Sequence, residues 1–206
     1  MNTNTTTIDY RHYYEQGISY EQYKENFAAE LATGEASPYI QYLPQNWSRQ
    51  SRLDRKLKLS AELSATIAGL EQKQHWLLIT EHWCGDASQI NPIVAKIAEV
   101  SSDAIDLRLV YRDEHEALID AHLTDGRSRS IPILLVLDEN YQLLASYGPR
   151  PAAAQELVQS LLAQGESYTV PLHTWYARDR QQTTQADLHQ LLRKVDQEAT
   201  AENIHS

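Results

Sequence analysis

Apolar residues recur along this chain with two periods, and the changes from one to the other mark out its elements. From Ser19 a helical period runs through Tyr20, Tyr23, Phe27, Ala28 and Leu31 to Gly34, with Ser19 and Gln22 spaced as a capping box. Ser37-Pro38 restarts the chain, and Tyr39, Ile40, Tyr42, Leu43 and Trp47 gather around Pro44 as an aromatic cluster expected to pack on the domain. From Ser48 to about Gln72, Leu53, Leu57, Leu63, Ile67 and Leu70 predict one long helix. A short apolar run, Trp76 to Ile79, predicts a buried strand. Ile90, Ile93, Val94 and Ile97 then predict a helix over about 87–100, and Ile105, Leu107, Leu109 and Val110 a second strand parallel to the first.

Further along, Ala117, Leu118, Ala121 and Leu123 predict a helix ending near Asp125-Gly126. Ile133 to Leu137 is a fully apolar strand, Asp138-Glu139-Asn140 a turn, and Tyr141 to Tyr147 its antiparallel return. Residues 153–164 read as a helix with Leu157, Leu161 and Leu162 inward and Gly165 as its closing C′ residue. Residues 165–182, with Pro171, Trp175 and Tyr176, read as a connector. Thr184-x-x-Asp187 caps a last helix whose Leu188, Leu191, Leu192 and Val195 stripe is expected to dock on the domain. Residues 1–17, polar and rich in tyrosine, read as a partly ordered arm. The order from Trp76 onward is β-α-β-α-β-β-α, an α/β fold with a mixed sheet flanked by helices. It divides into a helical extension at 1–47, a domain at 48–164, and a connector with a helix at 165–206.

Composition narrows the function classes. At 206 residues, 42% hydrophobic and 22% charged, the chain is of globular type. A net charge of −10 argues against nucleic acid as a partner, because phosphate neutralisation needs a basic surface. The basic residues that do cluster, Arg49, Arg52, Arg55, Lys56 and Lys58, are most simply a solvated helix face, with an anionic ligand as the alternative. No apolar run reaches membrane-spanning length, and the first residues lack the pattern of a signal peptide. The expected location is the cytoplasm. The single cysteine excludes an internal disulfide.

That cysteine, Cys84, sits where the first strand ends and a helix begins, in Trp83-Cys84-Gly85-Asp86-Ala87. A helix start favours a thiolate through its backbone N–H groups and dipole, while Asp86 opposes it. His82, Cys84, His75, His115 and His122 do not have zinc-site spacing, and no metal or cofactor is expected. There is no Gly-x-Ser-x-Gly elbow for a serine hydrolase.

Three landmarks resemble the thioredoxin superfamily over roughly residues 70–164. They are the Trp83-Cys84-Gly85-Asp86 turn, Ser130-Ile131-Pro132 before an apolar strand, and Gly148 after the hairpin. The resemblance implies a thioredoxin-like fold, a cis bond before Pro132, and a substrate or partner groove formed by Trp83, Gly85, Asp86, Ala87, Ile131 and Pro132 around Cys84. More narrowly, the chain is similar to an uncharacterised bacterial group with a Trp-Cys-Gly-Asp-Ala turn, which carries no established reaction. It departs from thioredoxins where their second cysteine would stand, at Ala87. Their buried carboxylate falls on Leu78, and their lysine falls near Leu109. Dithiol exchange, which needs a resolving thiol, is therefore not expected.

Two functions stay open, beside the purely structural reading of Cys84 as an inert or buried residue at a helix N-terminus. The first is a monothiol redox protein in which Cys84 forms a mixed disulfide with a disulfide-bearing or thiol-modified protein or a small thiol. Monothiol glutaredoxins bind glutathione through basic groups near the turn, where this chain has Glu81 and His82. Arg127 and Arg129 could instead hold a carboxylate, with exposed surface arginines as the simpler reading. The second is a non-catalytic module that binds an extended peptide or partner in the same groove.

Overall fold

The computed structural model describes residues 8–34 and 39–204, with side chains as far as residue 198. Its centre is a four-stranded sheet in the order β2-β1-β3-β4, formed by β1 (Gln74–Thr80), β2 (Ile105–Tyr111), β3 (Ile133–Leu137) and β4 (Leu143–Tyr147). β1 runs parallel to β2 and antiparallel to β3, and β3 is antiparallel to β4. The β1–β2 crossover is α5 (Ala87–Val100), as its periodicity predicts.

Both faces of the sheet are covered, so successive residues of β1 enter different cores. Trp76 and Leu78 join α5 through Ile90, Ile93, Val94 and Ile97. Leu77 and Ile79 join Leu135, Leu137, Leu118 and Ile119 on the other face, together with Cys84, Ala87 and Ile131. Trp76, Leu77, Leu78 and Ile79 are each fully buried, a contribution of about 1.5–3 kcal/mol per side chain. This anchors the strand end that launches the Cys84 turn.

The flanking helices are parts of these cores. α2 (Tyr20–Thr33) begins at Ser19, whose side chain accepts from the Gln22 N–H, and ends at Gly34 in the left-handed conformation. Its Tyr23 and Phe27 are buried in the first core. The expected long helix at 48–72 is two helices instead, α3 (Leu43–Lys56) and α4 (Ala61–Ala68). Leu57 is extended, and Ser60 caps α4 by accepting from the Leu63 N–H. Leu57 and Leu59 still reach the core across this break, which is why the apolar spacing concealed it.

Other expectations need correction. The arm contains a helix, α1 (Tyr10–Gln16), capped by Asp9, and it buries Tyr14. Residues 1–7 and the Ser37-Pro38 restart lie outside the described residues. The helix before Gly126 is only one turn and a half, α6 (Glu116–Asp120). α7 (Ala152–Ala163) turns Ala154 and Val158 inward, whereas Leu162 is exposed. Gly165 does close α7, its N–H and that of Glu166 bonding to the carbonyls of Leu162 and Leu161. The connector is largely a helix, α8 (Thr169–Asp179), packed on α7 through Leu172 and Tyr176. Thr184 is buried within α9 (Gln182–Ile204) and does not cap it. Leu188, Leu192 and Val195 of α9 complete the first core.

Candidate functional site

Cys84 lies in the turn between β1 and α5, only 7% exposed. Its thiol donates to the Ile131 carbonyl at 3.3 Å, and the Ala87 N–H donates to Sγ at 3.4 Å. Ile131 and Pro132 are buried and joined by a cis peptide. Gly148, at φ +130°, backs this segment so closely that a Cβ there would lie 2.2 Å from the Pro132 carbonyl oxygen.

Asp86 is the pin of the turn. Although only 5% exposed, its carboxylate accepts from the Tyr176 hydroxyl at 2.6 Å and pairs with Arg150 at 2.7 Å. Tyr176 belongs to α8, so this carboxylate fastens that helix over the cysteine. His173, one turn earlier on α8, packs on Gly85: a Cβ at residue 85 would meet the imidazole at 2.8 Å. On the opposite side, Tyr39 packs on Trp83 with ring centres 4.5 Å apart, and the Arg112 guanidinium lies 4.6 Å above the indole. Asn46 of α3 donates to the His82 carbonyl at 3.2 Å.

Electrostatics follow from this enclosure. Burial pushes the Cys84 thiol up to about 12, and the neighbouring Asp86 carboxylate adds to the rise. The Ala87 and Asp86 N–H groups and the Arg150 cation act the other way and are outweighed. The expected preference for thiolate is therefore reversed, because desolvation and Asp86 exceed what the helix start supplies. His173 is held down to about 4 by burial and by the Arg49 cation. His82 is lowered by burial, against the opposing pull of Glu30, which hydrogen-bonds its Nδ1 at 2.6 Å. Glu81, which accepts from the Asp113 N–H at 2.9 Å, is pushed up to about 7, chiefly by burial.

A cleft of about 390 Å³ opens above Cys84, Gly85 and Asp86, walled by α3, α8 and residues 128–131. Trp83 and Ile131 line it as expected, along with Arg49, Arg150 and His173, which sequence reasoning did not place there. Arg129 also reaches it but is bound to Asp120 and Glu116, and Arg127 does not line it. Ala87 is fully buried beneath the turn. Among the described residues no group of three His, Cys, Asp or Glu side chains could hold a metal ion. No helix among them is long and apolar enough to cross a membrane.

The sheet order, the crossover and the cysteine turn facing a cis-proline loop define a thioredoxin-like protein. A family model described as Thioredoxin matches residues 34–163, more than half of the chain, and the chain belongs to that family. The crystal structure of a protein of unknown function from Pseudomonas aeruginosa is similar at 20% identity, with a TM-score of 0.64, over 91% of this chain and 98% of that one. A crystallised HIV epitope scaffold is similar at 16% identity and a TM-score of 0.60, over 90% of this chain and 98% of its own. Both likenesses extend beyond the family-matched residues into the flanking helices, and they concern the fold. No curated protein matches.

Proposed function

We propose that this chain is a binding protein built on the thioredoxin fold, whose cleft takes a slender ligand with Cys84 as its neutral floor. The observation that carries this reading is the condition of Cys84: buried, donating its proton to the Ile131 carbonyl, and pushed up to about 12. A thiol in that condition is a poor nucleophile at neutral pH. The chain has no second cysteine to release a mixed disulfide. α3 and α8 wall the cleft, which favours a small molecule or an extended peptide over a broad protein surface. A reducing compartment such as the cytoplasm suits a lone, unpaired cysteine.

The monothiol redox reading is the second, and the Ala87 N–H at 3.4 Å from Sγ and the nearby Arg150 favour it. In that chemistry the Cys84 thiolate attacks a disulfide of a small partner, forming Cys84–S–S–R and expelling RS⁻. An external thiol then attacks the mixed disulfide and frees Cys84. The test is the Cys84 titration, read by ultraviolet absorbance or by iodoacetamide rate against pH, with Cys84→Ser as blank. The binding reading expects a value well above the free-thiol value of about 8.5 and slow alkylation. A value below it would overturn that reading in favour of the monothiol one.

A further inference from the structure

The cleft is positively charged in a protein whose net charge is −10. Its lining holds four of the chain's 18 basic residues, Arg49, Arg112, Arg129 and Arg150, against one acid, Asp86. Three of these arginines are already neutralised. Arg150 pairs with Asp86 at 2.7 Å, Arg112 with Asp113 at 2.7 Å, and Arg129 with Asp120 at 2.6 Å.

Arg49 is different. Among the described residues it has no acidic partner, and its guanidinium donates only to the neutral Asn46 Oδ1, at 3.1 Å. It is half-buried, and burial together with the neighbouring Arg52 weakens its hold on its proton. A cation partly removed from water and left unpaired is costly, and an arriving anion would relieve that cost. Facing it, the α8 wall offers no competing charge, because His173 is neutral at ordinary pH. Gly85 lies against both: a Cβ there would be 2.8 Å from the His173 imidazole, which covers it, and 4.0 Å from Arg49 Nη1.

We propose that the part of the cleft bordered by Arg49 on α3 and His173 on α8, beside Gly85, is a carboxylate subsite. It holds the acidic end of a small organic acid or an extended peptide, whose remainder lies along the cleft toward Trp83 and Ile131. This rests on the binding reading of the cleft and adds the chemical class of the ligand. The guanidinium fork matches the two oxygens of a carboxylate. A monoanion matches the single uncompensated charge, whereas a dianion such as sulfate would bring excess negative charge toward Asp86, whose field already reaches His173.

His173 supplies the readout. The groups that face it are Arg49 of α3, Asp86 of the turn, and Tyr176 of its own helix. A carboxylate paired with Arg49 cancels the cation that depresses His173, so the imidazole should titrate about one pH unit higher, the low end for one neighbouring charge. The experiment follows the His173 ring protons by NMR in the full chain, assigned with His173→Gln. Lactate, a monocarboxylate, is added at matched ionic strength, with sodium chloride and sodium sulfate as comparison salts.

The expected result is a saturable rise with lactate, a smaller one with sulfate and none with chloride. Arg49→Gln should raise the starting value and abolish the lactate response. Its thermal midpoint, unchanged from wild type, would show that the fold is intact. No saturable response, an equal response in Arg49→Gln, or a stronger response to sulfate would each overturn the proposal. The Cys84 titration is independent of all three. A high Cys84 value without a lactate response removes the subsite and leaves the binding reading. A low value with a response does the reverse.

Discussion

Replacing Asp86 by asparagine probes the contact that holds the cysteine turn and the C-terminal helices together. The substitution keeps the shape and still lets the Tyr176 hydroxyl donate to an amide oxygen, but it leaves the Arg150 cation without its counter-charge. Both side chains of this pair are buried, at 7% and 9% exposure. Breaking a buried pair by removing one partner costs about 3–5 kcal/mol, a large share of a total stability of about 5–15 kcal/mol. With a urea m-value of about 2 kcal/mol/M, the midpoint of Asp86→Asn should fall by roughly 1.5–2.5 M. Adding Arg150→Met removes the orphaned charge, so the double variant should recover much of the loss, in a double-mutant cycle with strong coupling. The same single variant should lower the Cys84 pKa, because the carboxylate helps to raise it. The opposed signs, stability down and thiol acidity up, separate this account from general loosening of the fold. A stability loss below about 1 kcal/mol, or a Cys84 value that does not fall, would refute it.

Two further substitutions test other parts of the frame. Gly148→Ala places a Cβ 2.2 Å from the Pro132 carbonyl oxygen at φ +130°. Strain at such a conformation costs about 1–3 kcal/mol even without the clash, so urea denaturation should show a loss above that range, and near-native stability would contradict the close approach. Glu81 is held at about 7 by burial, so the wild-type fold favours its protonated form. That preference is fully present below the ordinary value of 4.5 and is lost as pH rises through about 7. Glu81→Gln, neutral throughout, should therefore be more stable than wild type at pH values above 7, with the advantage vanishing near 4.5. An advantage that is the same at all pH values would sink this reading.

Local signals made the centre of the fold legible. The β1 run from Trp76 to Ile79 is bounded by polar residues, Ile133 to Leu137 stands between a proline and a turn, and Ile90, Ile93, Val94 and Ile97 mark one face of α5. Each is specified within its own segment. The break at Leu57 was hidden because Leu57 and Leu59 serve the core outside a helix and so preserve a helical spacing. Ser60 was the available clue, as a capping residue inside the supposed helix. Thr184 misled for the converse reason: a good capping residue lies buried within α9.

The candidate site was legible only in its turn. Trp83, Cys84 and Asp86 announce themselves at a strand–helix junction, and Ile131-Pro132 before an apolar strand. The groups that decide the chemistry come from far along the chain. Tyr176 is 90 residues from Asp86, and Arg150 is 64. No local pattern marks Arg49 or His173 as cleft residues, because their role depends on how α3 and α8 close over Gly85. The acidity of Cys84 is not legible locally for the same reason: the helix start is local, and the burial that outweighs it is not.

The junction of α4 with α9 bears on how the chain folds during its synthesis. The backbone N–H of Ser60, the residue that caps α4, donates to the Gln185 side chain at 2.8 Å, across 125 residues of sequence. Leu63 and Ile67 of α4 share a core with Leu188, Leu192 and Val195 of α9. At about 5–20 residues per second, the ribosome delivers Gln185 roughly 6–25 s after Ser60. Throughout that interval α4 has one face without its partner, and the nascent chain exposes apolar surface that only late-arriving residues can cover. Release of α9 from the exit tunnel, rather than completion of the sheet, is thus the event that closes the first core.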